Sequence, residues 1–351
     1  MIIVHVNWTF GLGGIETMLV NIANEQVNAG HDIHIVIMEH GLVEHSFLKE
    51  LHPSIKIHYA HRRYGAMDMI AVLRFNWILE RIRPDVIHLH GSTVYKYILD
   101  PRLRKICVST LHDMPHAKNT GCINMIPKVF AISNSVAEEL FKYKGVKAIV
   151  NFNGIRPELF KVKEQKQHGG IFRIVQVSRL MHEKKGQDIL IKAGGELAKM
   201  GYSDFSINFI GDGDSLAYLQ QLAKDCDIAD KVFFLGAKPQ LYIFDHLCDY
   251  DLFVQPSRFE GFGLTVAEAM AAKVPVLVSS NQGPLEIIDN GKYGCHFEIN
   301  NVKDCANKME VFLKHENDIN MIELAYQRVV KLYNVKNTTK RYLKEYMSQN
   351  R

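Results

Sequence analysis

Ile171-Phe172-Arg173-Ile174-Val175-Gln176-Val177-Ser178-Arg179-Leu180 is where the chain starts a second time. Ile171–Val177 is an apolar run of strand length. It leads through a short turn into a helix-period segment with Ile189, Leu190, Ala193 and Leu197 on one face. Strand-like runs follow at Phe205–Ile210, Val232–Leu235 and Leu252–Gln255. Upstream, the same alternation begins at Ile2–Val6. A helical stretch carries Leu19, Ile22, Ala23 and Val27, and Asp32–Met38 reads as a strand. Ile70, Leu73 and Trp77 recur at helical spacing before strand-like runs at Asp85–Leu89, Lys105–Leu111 and Val129–Ile132. Strand, helix, strand without tight hairpins implies parallel pairing, so the chain reads as α/β, with two Rossmann-like, doubly wound parallel-sheet domains. The polar stretch Phe160–Gly170, rich in Lys and Gly, reads as the linker. The expected domains are 1–165 and 166–335. A terminal amphipathic helix at about 336–349 carries Tyr342, Leu343, Tyr346 and Met347 and needs a surface to bury on. In open sheets of this kind ligands sit at the carboxyl ends of the strands, and two such units create a cleft between them.

The 351 residues suffice for two cores, and 47% hydrophobic with 23% charged residues is ordinary for a globular protein. No window of about 18 consecutive apolar residues predicts a membrane span. The start shows no secretory signal. Six scattered cysteines, without a C-x-x-C pair, read as reduced thiols of a cytoplasmic protein. Residues 1–165 hold 19 Lys and Arg against 15 Asp and Glu, whereas the rest balances at 23 each. Nine basic and four acidic residues lie between Arg62 and Lys105. That excess suits either a solvated surface or a face for an anionic membrane or phosphate-bearing acceptor, peripheral at the inner side of the membrane. It is too small to indicate nucleic acid.

Three stretches carry the chemistry. Gly11-Leu12-Gly13-Gly14-Ile15-Glu16 follows the first strand and opens a helix, where backbone N–H groups can approach an anion. A dinucleotide fingerprint would need glycine at 16, and glutamate stands there, which weakens an oxidoreductase reading. Ser178-Arg179-Leu180-Met181-His182-Glu183-Lys184-Lys185-Gly186 places two cations at the end of the second unit's first strand. Arginine can fork across two diphosphate oxygens and lysine supplies a point charge. Gln255–Met270 turns through Gly261 and Gly263 into a helix starting near Leu264. Glu260 lies in the loop before that helix and Glu268 about one turn inside it. A carboxylate is a two-point acceptor for vicinal hydroxyls.

Two glutamates eight apart in Glu260-Gly261-Phe262-Gly263-Leu264-Thr265-Val266-Ala267-Glu268 resemble the signature of glycosyltransferase family 4, which retains anomeric configuration and has the GT-B fold. The resemblance runs along nearly the whole chain in order. It takes in the Gly-Gly-Ile-Glu loop, Ile132–Ser135, Asn151–Ile155, Ser178–Leu180 with Lys185-Gly186, and Gly211-Asp212-Gly213. It implies a nucleotide-sugar-binding C-terminal domain and an acceptor-binding N-terminal domain, with the last helix crossing back onto the latter. By the same resemblance Glu268 holds the ribose hydroxyls, and Arg179 with Lys185 or Lys184 binds the diphosphate. Glu260 faces the transferred sugar with the backbone of Phe262, Gly263 and Leu264. Gly13 and Gly14 close on the donor phosphates. Gly211 belongs to the second-strand motif, and His112 lies near the sugar and acceptor. Relatives carry glycine where Lys273 stands. A left-handed helix end there would cost lysine about 1 kcal/mol.

The expected chemistry is transfer of a hexose or N-acetylhexosamine from a nucleotide diphosphate sugar. Arg179 and Lys185 stabilise the leaving group, so neither a metal nor another cofactor is required. Ser280–Ile288 resembles relatives that use UDP-sugars. A glycan or lipid-linked acceptor in surface polysaccharide or glycoconjugate synthesis fits the basic N-terminal half. The rival readings are a non-catalytic glycosyltransferase-like binding subunit and a sugar phosphorylase or epimerase on a similar fold.

Overall fold

Ile2–Asn7 forms β1, buried on both faces, as a central parallel strand between helix layers requires. In this computed structural model, the described residues are 1–349 apart from 12, 40, 42, 44–47, 64–67, 117, 164–169 and 315–318. After β1 come α1 (Gly14–Asn28), β2 (Asp32–Ile37), β3 (Lys56–Tyr59), α2 (Met69–Ile82), β4 (Val86–Leu89) and α3 (Pro101–Lys105). They are followed by β5 (Cys107–Leu111), β6 (Lys128–Ala131), α4 (Asn134–Lys144) and β7 (Ile149–Val150). These strands pair in parallel in the order β3-β2-β1-β4-β5-β6-β7. The order reverses between β1 and β4, the switch point beside which ligands bind in such sheets.

The second sheet is built from β8 (Phe172–Val177), β9 (Phe205–Ile210), β10 (Val232–Phe234), β11 (Leu252–Gln255), β12 (Val276–Ser279) and β13 (Cys295–Phe297). Its order is β10-β9-β8-β11-β12-β13, again parallel throughout. Between these strands run α5 (His182–Lys185), α6 (Gln187–Lys199), α7 (Leu216–Asp225), α8 (Gln240–His246), α9 (Leu264–Ala271) and α10 (Gln282–Ile287). After β13 come α11 (Val302–Leu313), α12 (Ile319–Leu332) and α13 (Val335–Gln349). Ile189, Leu190, Ala193 and Leu197 of α6 are buried in a core with Ile174, Ile207 and Leu252 of the sheet, as their spacing implies. Among the described residues no helix is long and apolar enough to cross a membrane.

The chain divides into two compact units, Met1–Ile155 with Tyr333–Arg351 and Arg156–Leu332. Helix α13 therefore belongs with the first sheet. Its Tyr342, Leu343 and Tyr346 share a core with Leu19, Ile22 and Ala23 of α1, whereas Met347 is exposed. The expected boundary at 165 lies inside the second unit. Lys161 and Lys163 donate backbone N–H bonds to Phe244 and Ala272, and the Phe160 ring packs on Phe244. These contacts hold the stretch before 164 against the second core. Residues 164–169 of the expected linker, and Leu12 of the glycine loop, lie outside the described residues.

Helix α2 lies where its apolar spacing puts it, but that spacing does not mark the buried face. Ile70, Leu73 and Trp77, whose spacing marks it as a helix, face solvent at 70%, 58% and 59% exposure. The face it buries is Ala71, Val72, Phe75, Ile78 and Leu79. The helix is apolar on two sides, and the sheet takes only one of them.

Candidate active site

In the second unit, two strand–turn–helix connections meet at the carboxyl ends of β8 and β11. Gly186 sits at the end of α5 with φ of 69°, and a Cβ there would come within 2.0 Å of the Pro256 carbonyl. Only glycine permits that approach and that backbone conformation. The contact is fastened by Arg258. Its guanidinium forks onto Asp188 with two bonds of 2.8 Å and donates to the His182 carbonyl at 2.7 Å. Arg258 and Phe259 also donate backbone N–H groups to the Lys184 carbonyl. Burial pushes the Asp188 carboxyl up, but the Arg258 bonds outweigh it and the carboxyl stays below its usual range. Gly211, with φ of 141°, brings the end of β9 against the turn after β8, where a Cβ would lie 2.0 Å from the Ser178 carbonyl.

These connections put Lys185 and Glu260 together. The Lys185 ammonium donates to Glu260 Oε2 at 2.5 Å, and Gln255 Nε2 lies 3.3 Å from the same oxygen. Gln255 also donates to Ser257 Oγ at 2.8 Å. Both members of the ion pair are about one-fifth exposed. Lys184 contributes its carbonyl to the turn, so of the two candidate lysines it is Lys185 whose ammonium reaches Glu260. Arg179 is exposed, and among the described residues its guanidinium has no partner. Phe262 and Gly263 are buried and Leu264 begins α9, whose first N–H groups have no partner within the helix. Glu268 lies inside α9 and is buried. Among the described residues no hydrogen bond reaches its carboxylate, and burial raises it to about 7.

The first unit holds Gly13, Gly14 and His112. Gly13 is the extended N-cap residue of α1, and Gly14 is its first helical residue. A Cβ on Gly13 would lie 2.7 Å from Glu16 Oε2. Glu16, where a dinucleotide fingerprint would have glycine, is buried. Burial raises its carboxyl, opposed by its own backbone N–H, by Asn7 and by Gly11. A carboxylate of the chain itself thus sits at the α1 N-terminus.

His112 follows β5 and closes a row of buried imidazoles. A period of two along each strand brings His5, His88, His90, Thr110 and His112 to one face of the sheet. Gln26 Oε1 lies 2.7 Å from His5 Nε2, His5 Nδ1 lies 3.0 Å from His90 Nε2, and His90 Nδ1 lies 2.9 Å from His112 Nε2. His88 bonds Tyr346 at 2.6 Å and Thr110 at 2.7 Å. Among the described residues, His112 Nδ1 is buried without a partner. Burial lowers His5 to about 4 and His112 to about 3, and holds His88 and His90 well below the usual histidine range.

His5, His88 and His90 also form the one group of three metal-ligand side chains among the described residues. All six of their ring nitrogens are already engaged in hydrogen bonds, which ligation would break. The sequence contains Asp-x-Asp pairs at Asp212/Asp214, Asp225/Asp227 and Asp249/Asp251, a metal-binding pattern in other sugar-transferring enzymes, and none falls in such a group. Gln255, the Asp188–Arg258 fork and the imidazole row are functional features that no motif in the sequence singles out. Gln255 bonds near neighbours, Ser257 and Glu260, from a strand end where its residue type carries no motif, and the fork joins residues 70 positions apart. The third leaves a signal, because His88-Leu89-His90 is a polar alternation in an otherwise buried strand.

Two family models match in succession, Glycosyltransferase Family 4 over residues 12–159 and Glycosyl transferases group 1 over residues 159–328. The chain belongs to this family of glycosyltransferases. N-acetyl-alpha-D-glucosaminyl L-malate synthase of Bacillus anthracis is 24% identical over 337 residues, spanning 87% of this chain and 86% of that protein. Anabaena HepE in complex with UDP-glucose matches the structure with a TM-score of 0.83 at 19% identity, covering 99% of this chain and 100% of that one. S. aureus TarM, in a complex that includes UDP, matches with a TM-score of 0.80 at 14% identity, covering 98% and 99%. The architecture is GT-B.

Proposed function

We propose that the chain moves a hexose or N-acetylhexosamine from a UDP-sugar, with retention of configuration, to a glycan or lipid-linked acceptor in surface polysaccharide or glycoconjugate synthesis. The observation that carries this reading is the Lys185–Glu260 pair at the meeting point of two strand ends, in a unit where, among the described residues, the Arg179 guanidinium and the Glu268 carboxylate have no partner. The diphosphate draws on Arg179 and Lys185, whose charges stabilise the leaving group as the C1–O bond breaks. Glu260, held by Lys185 and Gln255, orients the sugar. Glu268 accepts the ribose hydroxyls, which supply the partners its carboxylate lacks. The donor phosphate takes the acceptor proton on the same face, so no protein nucleophile and no metal are needed. Gly13 and Gly14 close on the phosphates, and His112 lies at the sugar. UDP in the HepE and TarM complexes supports the choice of nucleotide.

The protein works in the cytoplasm at an anionic membrane. Met69, Ile70, Leu73 and Trp77 stand out from α2, with the Arg81 guanidinium over the Trp77 ring and Arg74 beside them. Apolar side chains flanked by arginines suit the interface of an anionic bilayer. Donor choice is tested by a thermal-shift screen against UDP-, GDP- and ADP-sugars, with and without chelator. A UDP-sugar is expected to raise the unfolding temperature most, unchanged by chelation. A larger shift with GDP- or ADP-sugars, or one abolished by chelation, contradicts the assignment.

A further inference from the structure

We infer that Gln26, His5 and His90 form a neutral hydrogen-bonded relay that fixes the tautomer of His112 and leaves its Nδ1 a bare acceptor for a hydroxyl of the bound sugar or acceptor. The functional half of this rests on His112 belonging to the sugar site. The polarity follows from the chain of contacts. With the Gln26 amide placed so that Oε1 faces the row and Nε2 is left buried without a partner among the described residues, Oε1 accepts and His5 Nε2 carries the hydrogen. A neutral imidazole has one N–H, so His5 Nδ1 accepts from His90 Nε2, and His90 Nδ1 accepts from His112 Nε2. His112 Nδ1 is then without a hydrogen, and among the described residues it is the one ring nitrogen of the row that is buried and has no partner.

Burial keeps the rings neutral, and on His90 the neighbouring imidazoles add to it. A single proton per ring is what makes one end of the row decide the other. Stacking supports the geometry: His5 and His90, and His90 and His112, lie with centroids 5.2 Å apart and planes inclined by 26° and 23°. Gln26 comes from α1 and the three histidines from β1 and the ends of β4 and β5, so a helix sets the state of a side chain at the rim of the sheet. His5 and His90 act as positioning residues through His112. A hydroxyl donated to Nδ1 would satisfy the orphaned nitrogen and orient its oxygen.

Long-range proton–nitrogen NMR on the full chain with ring-15N histidine reads the tautomers directly. At neutral pH, His5, His90 and His112 are expected as neutral Nε2–H rings. In Gln26→Leu, His112 should lose that preference and kcat should fall on the order of tenfold with donor KM unchanged, whereas Gln26→Glu, which keeps an acceptor, should retain both. Nδ1–H or charged rings in the wild type overturn the relay, and that spectrum decides even where a variant does not fold. A folded Gln26→Leu protein with unchanged kcat overturns it too, whether or not the tautomer moves. His112→Ala with wild-type turnover would remove His112 from the sugar site, and the spectra would still report the relay separately.

Discussion

Glu268 is a carboxylate kept where it is costly. Burial holds it at about 7 against an ordinary 4.5, so the folded protein binds that proton more tightly than the unfolded chain does. Stability from this group is therefore highest below pH 4.5 and declines as pH rises, reaching a cost of about 3 kcal/mol above pH 7. Glu268→Gln keeps the shape and removes the ionisation. By scanning fluorimetry the variant should unfold at a higher temperature than wild type at pH 8, with the gap closing toward pH 5. It should also bind nucleotide more weakly, because an amide replaces the two-point acceptor. At this scale the sequence was partly legible. Glu260, Glu268 and Arg179 stand out by their placement after strands. The partner of Glu260 does not, because Lys185 lies 75 positions away and only the approach of Gly186 to Pro256 joins them. Lys273 does hold the left-handed helix-end conformation, with φ of 57°. Its ammonium bonds Glu323 at 2.7 Å, an interaction that glycine could not make.

The central strands other than β12 (Val276–Ser279) were readable as elements, because a strand buried on both faces is rich in apolar residues. Phe205–Ile210 and Leu252–Gln255 lie where their composition puts them. The short edge strands β7 and β13 were not, since two or three residues carry no period. Helix α2 shows a different limit. Periodicity reveals that a helix has an apolar stripe, and a helix with two stripes leaves open which one the sheet covers. Its outward stripe should bind phosphatidylglycerol vesicles, and co-sedimentation should fall with added salt and in Leu73→Asp or Trp77→Ala. Equal binding to neutral phosphatidylcholine vesicles, or none to either, would remove the membrane role of this face.

At the scale of the molecule, the chain contains two parallel doubly wound units, and α13 returns to complete the first. That return was legible from the tyrosines of the last helix, which find the α1 core. The expected domain boundary missed the residues before 164, because Phe160, Lys161 and Lys163 hold the second unit through partners some 80 or more positions away, Phe244, Asp245 and Asp251, which no local pattern marks. The central claim is that the second unit binds a nucleotide sugar and that Arg179, Lys185 and Glu260 carry the departure of the diphosphate. It is tested most directly by the rate of nucleotide diphosphate release from a UDP-sugar for wild type, Arg179→Ala and Glu260→Ala, each checked for folding. Wild type should turn over, and each variant should lose on the order of a hundredfold in kcat with its unfolding temperature little changed. Unchanged turnover in both folded variants would contradict the assignment.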